Sequence, residues 1–371
     1  MNNGKEQISS LQIAFMVMLF EIGSTPLFLL GGDAEQNSWL AMLTGAVAGL
    51  VLLLLILWLQ SRSPGQDLAA ILKVQLGKWA GLLFGILYAI YFAYQSMRNV
   101  RDLGEITAIT LLDNTPISLT MLIFVLIAGY AIFKGAEVMF RLPEVLLPLV
   151  LSFYIMLTVL LVLMGSVDFR RLLPVMENGF KPILETALPE IVSFPFGQML
   201  VFLMLWPLWK EKGTPYKPTL VAYGLISLFL VFMNALNIAT LGPSLAAASQ
   251  LPFLQTVRTL SNLQFIERLD LLVTILLFVG LLVKMMLFYF CAVRMTHRLT
   301  GIPDQVCVFP VGLIIYASSF LERDYTQHIA VGLGPSLKLD TIFQIGIPFL
   351  LACTILIRSA RKKRAGDGEG K

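Results

Sequence analysis

Phe20-Glu21-Ile22-Gly23-Ser24-Thr25-Pro26 places an acid, a glycine and a proline in the middle of an apolar run extending from about residue 10 to 31. Proline removes a backbone donor and crowds the preceding turn, so a helix through this run is interrupted there. Ser193-Phe194-Pro195-Phe196-Gly197 repeats that chemistry inside the apolar run 185–209. Unwound backbone at membrane depth persists only where protein buries it or where it lines a cavity. Gly and Pro also occur as plain kinks in membrane helices, so the two stretches mark either kinks or a site.

The chain around them is membranous in composition. Hydrophobic residues make up 57% of the 371 and charged residues only 13%, against roughly 25% charged in an ordinary globular domain. So few charges cannot cover a water-soluble surface. The segments 36–61, 79–97, 145–167 and 218–257 carry no charge at all, and about 17–25 apolar residues cross a ~30 Å hydrocarbon core. Spans are expected near 10–31, 38–59, 79–110, 117–133, 143–165, 185–209, 217–241, 267–294, 306–321 and 339–358. The expected fold is an all-α polytopic membrane protein of about ten transmembrane helices, one domain over residues 1–371. Spans one and six fall at matching places in two five-helix halves, about 10–165 and 185–358. Matching interruptions of that kind point to a transporter-type binding site at the midplane.

An even number of spans puts both termini on one side. Seventeen of the 27 basic residues fall on that side, nine on the other, and Lys284 lies inside a span. The positive-inside rule then places both termini in the cytoplasm. Residues 359–371 form a basic tail whose Arg361, Lys362, Lys363 and Arg364 suit anionic membrane lipid, not nucleic acid. The weakly charged start at Lys5 leads into the apolar run at Leu11 without a cleavage pattern, so that run is expected to be the first helix of the mature protein. Cys291, Cys307 and Cys353 lack paired spacing and read as small hydrophobes. His297 and His328 fall near expected helix ends. No nucleophile–base–acid set and no metal cluster is legible, so neither an enzyme nor a cofactor or metal site is expected. Of the longer loops, 166–184 is charged, whereas 242–266 is charge-free up to Arg258 and suits packing over the bundle mouth.

Three further features carry chemistry. Tyr88, Tyr91, Gln95, Arg98 and Asp102 recur at spacings of three and four and share one helical stripe, which lipid would reject. Arg98 with Asp102 and Arg101 with Glu105 are expected ion pairs near the surface, while Tyr91 and Gln95 line a cavity. Glu267, Arg268 and Asp270 open the eighth span and read as helix-capping and locally paired groups. Lys284 sits alone in an apolar run, and an ionisable group inside a span is a functional candidate.

Glu21-Ile22-Gly23, Gly135-Ala136-Glu137 to Arg141, Leu172-Leu173-Pro174, Ile266-Glu267-Arg268-Leu269-Asp270 and Val283-Lys284, in this order, give the chain a resemblance. It resembles the B subunits of nutrient germinant receptors of endospore-forming bacteria, a branch of the amino acid/polyamine/organocation transporter superfamily. The resemblance implies the leucine-transporter-type fold, two inverted five-helix repeats with discontinuous first and sixth helices around the substrate. It also implies residence in the spore inner membrane and assembly with an A subunit and a lipid-anchored C subunit.

On this basis the expected pocket is Gly23, Ser24 and Thr25 with Phe194, Pro195 and Phe196, and Tyr91 and Gln95 as a wall. The expected ligand is a small nutrient, an amino acid with a small or branched apolar side chain, whose carboxylate meets free half-helix N-termini. In the implied fold Lys284 lies where related transporters hold sodium. Its ammonium is expected to replace that ion, bonding carbonyls near Ile22 and pairing with Glu21. A proton- or sodium-coupled amino acid permease shares this architecture, and fold does not separate the two.

Overall fold

The computed structural model describes residues 7–211, 213–262 and 269–368, with side chains described up to Ala360 except at 261 and 262. Among the described residues are one isolated bridge, Ile8 with Trp209, and no strand. Among the described residues nine helical stretches are long and apolar enough to cross a membrane, and Asp304–Ser318 is a shorter tenth. The protein is a multi-pass membrane protein.

Local sequence sets most boundaries. The first span, Ser10–Leu27, opens with a capping box in which Gln12 N–H donates to Ser9 Oγ and Ser9 N–H to Gln12 Oε1, satisfying two orphan donors reciprocally. Gly135, at φ 103°, separates Ile117–Lys134 from Ala136–Leu163, a backbone angle that favours glycine. The fifth span thus begins at Ala136 and not near 143, because Pro143 and Pro148 lie inside the helix.

The larger departure is the tenth span, Tyr325–Ala360, which begins some fourteen residues before the expected 339. Gly332, Gly334 and Pro335 fall outside the expected spans, but they lie in a π-helical turn, Gly332–Ser336, and a second such turn follows at Ile342–Gly346. A π-turn absorbs irregular backbone without ending the helix and is frequent at functional sites. The result moves Asp340 from a span mouth into the bundle.

The long third span, Lys78–Thr110, packs along the eighth, Leu269–Thr300; Ser96 Oγ donates to Met285 O at 3.1 Å. Tyr88, Tyr91 and Gln95 are all buried, so the polar stripe faces inward. The segment after the seventh span returns over the bundle as two short helices, Pro243–Ala248 and Pro252–Arg258, the second burying Phe253, Leu254 and Val257. Glu267 and Arg268 of the expected capping group lie outside the described residues, as do the side chains of Arg361 to Arg364; Asp270 Oδ1 accepts from Leu271 N–H at 2.9 Å.

Candidate functional site

The first helix ends at Ile22, where Gly23 N–H closes the last turn on Leu19 O. Pro26 has no donor to continue the ladder, and the Thr25 hydroxyl takes the Glu21 carbonyl at 2.6 Å before a short 3-10 turn, Thr25–Leu27. This break is clamped by the eighth span. A Cβ on Gly280 would stand 2.7 Å from Gly23 O, and one on Gly23 would stand 2.4 Å from Lys284 Cδ. Two glycines thus bring the helix backbones into contact, the small-residue packing usual in membranes.

The sixth span breaks in the same layer. Its helix and π-turn close with Phe194 N–H on Glu190 O at 2.8 Å, and a 3-10 helix, Phe196–Met204, starts after Pro195. Phe28 and Phe194 meet edge to face with centroids 6.1 Å apart, so the two interruptions adjoin.

Between them lies a cavity of ≈ 40 Å³, larger than the ~10–15 Å³ that one water occupies but contracted around anything of amino-acid size. Of the expected pocket residues, Ser24, Gln95 and Phe194 line it. Gly23 and Thr25 hold the break behind Ser24. Phe196 turns away, against Tyr223 at 5.5 Å and into the space left by Gly49. Tyr91 stacks on Phe343 at 4.6 Å and accepts from Gln344 Nε2 at 2.9 Å, one layer below. Pro195 sets the break without lining the cavity.

The cavity is more polar than the two breaks alone imply. Asn99, Gln198, Ser336 and Asp340 line it as well. Gln95 Nε2 donates to Asp340 Oδ1 at 2.8 Å, Gln198 Nε2 donates to Gln95 Oε1 at 3.2 Å, and Asn99 Nδ2 donates to Gln95 O at 2.8 Å. The tenth span supplies the acid at the centre of this set.

A cluster of charged groups closes one end of the cavity, with Arg98 and Asp102 in its lining. Arg98 does not pair with Asp102, correcting that expectation. Its Nη1 bonds Glu322 Oε1 at 3.0 Å and lies 3.1 Å from His328 Nδ1, and its Nη2 donates to His328 O at 2.8 Å. One turn on, Asp102 Oδ1 faces His328 Nε2 at 3.2 Å, because the early start of the tenth span brings His328 into reach. His328 lies near the start of the helix Tyr325–Val331 and is fully buried. Arg101 does pair with Glu105, at 2.6 Å. In the connection before the tenth span, burial would raise the Glu322 carboxyl, but the hydrogen bond and charge of His328 and the charges of Arg98 and Arg101 outweigh it and hold Glu322 below its usual range.

Lys284 is fully buried, with Nζ 4.6 Å from the centre of the Phe194 ring and 5.2 Å from that of Phe20. A cation over an aromatic face is stabilised by ~2 kcal/mol when desolvated. Nζ has no hydrogen-bond partner among the described residues, and neither does either carboxylate oxygen of the buried Glu21. The expected bonds to the Ile22 carbonyl and to Glu21 are therefore not formed. The lysine stem lies flat against Gly23, which carries Nζ past the end of the first helix toward Phe194. Glu21 and Lys284 still act on each other through space.

The family model described as "Spore germination protein" matches residues 7–327. Among curated proteins of Bacillus subtilis (strain 168), spore germination protein KB is 29% identical over 371 residues, covering 99% of both chains. Spore germination protein B2 is 26% identical over 278 residues, covering 73% of this chain and 74% of its own. Among solved structures, Mhp1, a nucleobase-cation-symport-1 family transporter in a closed conformation with bromovinylhydantoin bound, superposes with a TM-score of 0.68 at 14% identity. That match covers 89% of this chain and 75% of Mhp1, and it shows the leucine-transporter-type fold.

Proposed function

The chain belongs to the spore germination protein family, and from that premise we propose that it is the membrane subunit of a nutrient germinant receptor. It binds a small germinant, an amino acid, between the broken first and sixth helices and shifts the receptor toward a signalling state. The observation that carries this reading is the cavity shared by Ser24, Phe194 and Gln95, where two interrupted helices and the polar stripe of the third span converge. Half-helix ends at a midplane site suit a zwitterion, and the difference in affinity between two states drives the switch.

In this reading Lys284 serves as a built-in cation at the junction of the first and eighth spans, so ligand binding needs no sodium. The basic residues flanking the spans favour cytoplasmic termini, and membership of the germination family favours the spore inner membrane, beside A and C subunits. A coupled amino acid permease is the second reading, favoured by the likeness to a transporter fold. Radiolabelled amino-acid uptake into proteoliposomes, run beside equilibrium binding to the same preparation, separates them. The receptor reading expects saturable binding without uptake, in sodium or in choline buffer alike. Concentrative uptake would replace it with the permease, and absence of binding by any amino acid would overturn both.

A further inference from the structure

The hydrogen bonds around Gln95 have a fixed direction, and that direction decides what the cavity offers a ligand. Gln95 turns its NH₂ end to Asp340 Oδ1, which accepts at 2.8 Å. Gln95 then presents its oxygen to Gln198, which must answer with its own NH₂, at 3.2 Å. Asn99 spends an amide hydrogen on the Gln95 carbonyl. The atoms of this set left with no partner at all are acceptors: Gln198 Oε1 and Asn99 Oδ1 are buried without a hydrogen-bond partner among the described residues, and both residues line the cavity with Asp340. Each side chain is only 3% exposed, and an unsatisfied buried acceptor costs ~1–3 kcal/mol.

Charge points the same way. Asp340 is 4% exposed, and its one resolved partner is a neutral amide. Arg98, the base that lines the cavity, is already engaged by Glu322 and His328, and Lys284 is turned to the Phe194 face. A buried carboxylate is costly unless a cation and hydrogen bonds compensate it. Two oxygens without donors beside an acid that forms no ion pair among the described residues make a receptacle for a donor that carries positive charge.

We infer that the ligand is held by a primary ammonium group docked among Asp340, Gln198 Oε1 and Asn99 Oδ1, which makes Asp340 the residue that selects amines over acylated or neutral compounds. This rests on the nutrient-binding reading above and specifies its chemistry. Because the recognised end is the amine, the apolar side chain expected from Phe194 is a secondary determinant. A charge-assisted bond is roughly twice as strong as a neutral one, so loss of charge at either partner is the sensitive change.

The test uses the purified full chain in nanodiscs and a thermal-shift and binding panel of the twenty L-amino acids, the N-acetyl derivative of each, and a neutral hexose. The expected result is that at least one amino acid binds, that its N-acetyl derivative binds at least 30-fold more weakly, and that Asp340→Asn weakens the amino acid at least 10-fold. An N-acetyl derivative that binds as well as its parent, or an unchanged affinity in Asp340→Asn, overturns the inference and leaves the nutrient-binding reading intact. Binding of the hexose with no amino acid bound overturns it as well. If no compound binds, the nutrient-binding reading fails and the inference with it. The N-acetyl comparison is made on the unmodified chain and so stands even if the variant is unstable.

Discussion

Lys284 Nζ lies 4.6 Å from the centre of the Phe194 ring, which ties the eighth span to the break of the sixth while the lysine stem supports the break of the first. Replacing the cation should therefore loosen both sides of the cavity. Lys284→Met is expected to lower ligand affinity about 30-fold, the ~2 kcal/mol that a desolvated cation–aromatic contact supplies, with membrane insertion retained. It also leaves the buried Glu21 without a compensating charge, so abundance should fall and be restored by Glu21→Gln. Affinity should not recover in that double variant. A Lys284→Met protein with normal affinity would remove the lysine from the site.

Gly23 leaves no room for a side chain. A methyl there meets Lys284 Cδ at 2.4 Å and Phe20 O at 2.6 Å, an overpacking of ~1–3 kcal/mol. Gly23→Ala should weaken ligand binding, and Gly23→Trp should abolish it in protein that still inserts. Because the alanine acts largely by displacing Lys284, Gly23→Ala and Lys284→Met should be non-additive in a double-mutant cycle. Full additivity would show that the methyl acts elsewhere.

Glu322 fixes the Arg98 end of the charged cluster. Since its carboxyl is held below its ordinary value, its contribution to stability is fully present above the unfolded value, roughly pH 4.5, and is lost as pH falls through the folded value. The difference in thermal stability between the wild type and Glu322→Gln should shrink as pH falls from roughly 4.5 through the folded value of the carboxyl. A gap that widens on acidification would contradict this sign.

Tyr154 offers a control far from the cavity. Its hydroxyl is buried without a partner among the described residues, while its ring packs on Phe229 and Phe253 at 5.2 and 5.1 Å. Tyr154→Phe should leave ligand affinity unchanged and hold or raise the unfolding temperature, because it removes an unsatisfied polar atom worth ~1 kcal/mol. A clear loss of stability would mean that the hydroxyl is bonded in the membrane.

Much of the fold was legible because membrane helices announce themselves by charge-free runs, and the two breaks because Gly23, Pro26 and Pro195 act locally. Lys284 stood out as a lone charge. Asp340 did not, since the apolar run that marks the tenth span opens near 339 and leaves it at a span mouth; only the π-turns at Gly332–Ser336 and Ile342–Gly346 carry the helix through. Phe196 was assigned to the pocket on proximity to Pro195, but after that proline the chain is 3-10, with three residues per turn, and no α-helical spacing predicts its face. The partners of Arg98 are distant in sequence, 224 positions to Glu322 and 230 to His328, and spacing along one helix favoured Asp102 instead.

The central claim is that a nutrient occupies the space between the two helix breaks, and Ser24 marks that space from the first helix. Ser24→Cys is nearly isosteric, and its alkylation by a small thiol reagent can be followed by mass spectrometry of the peptide that contains it, apart from Cys291, Cys307 and Cys353. An amino acid at saturating concentration should slow this alkylation at least five-fold, with the half-effective concentration equal to its binding constant. An alkylation rate that the bound amino acid leaves unchanged would place the ligand elsewhere and contradict the account.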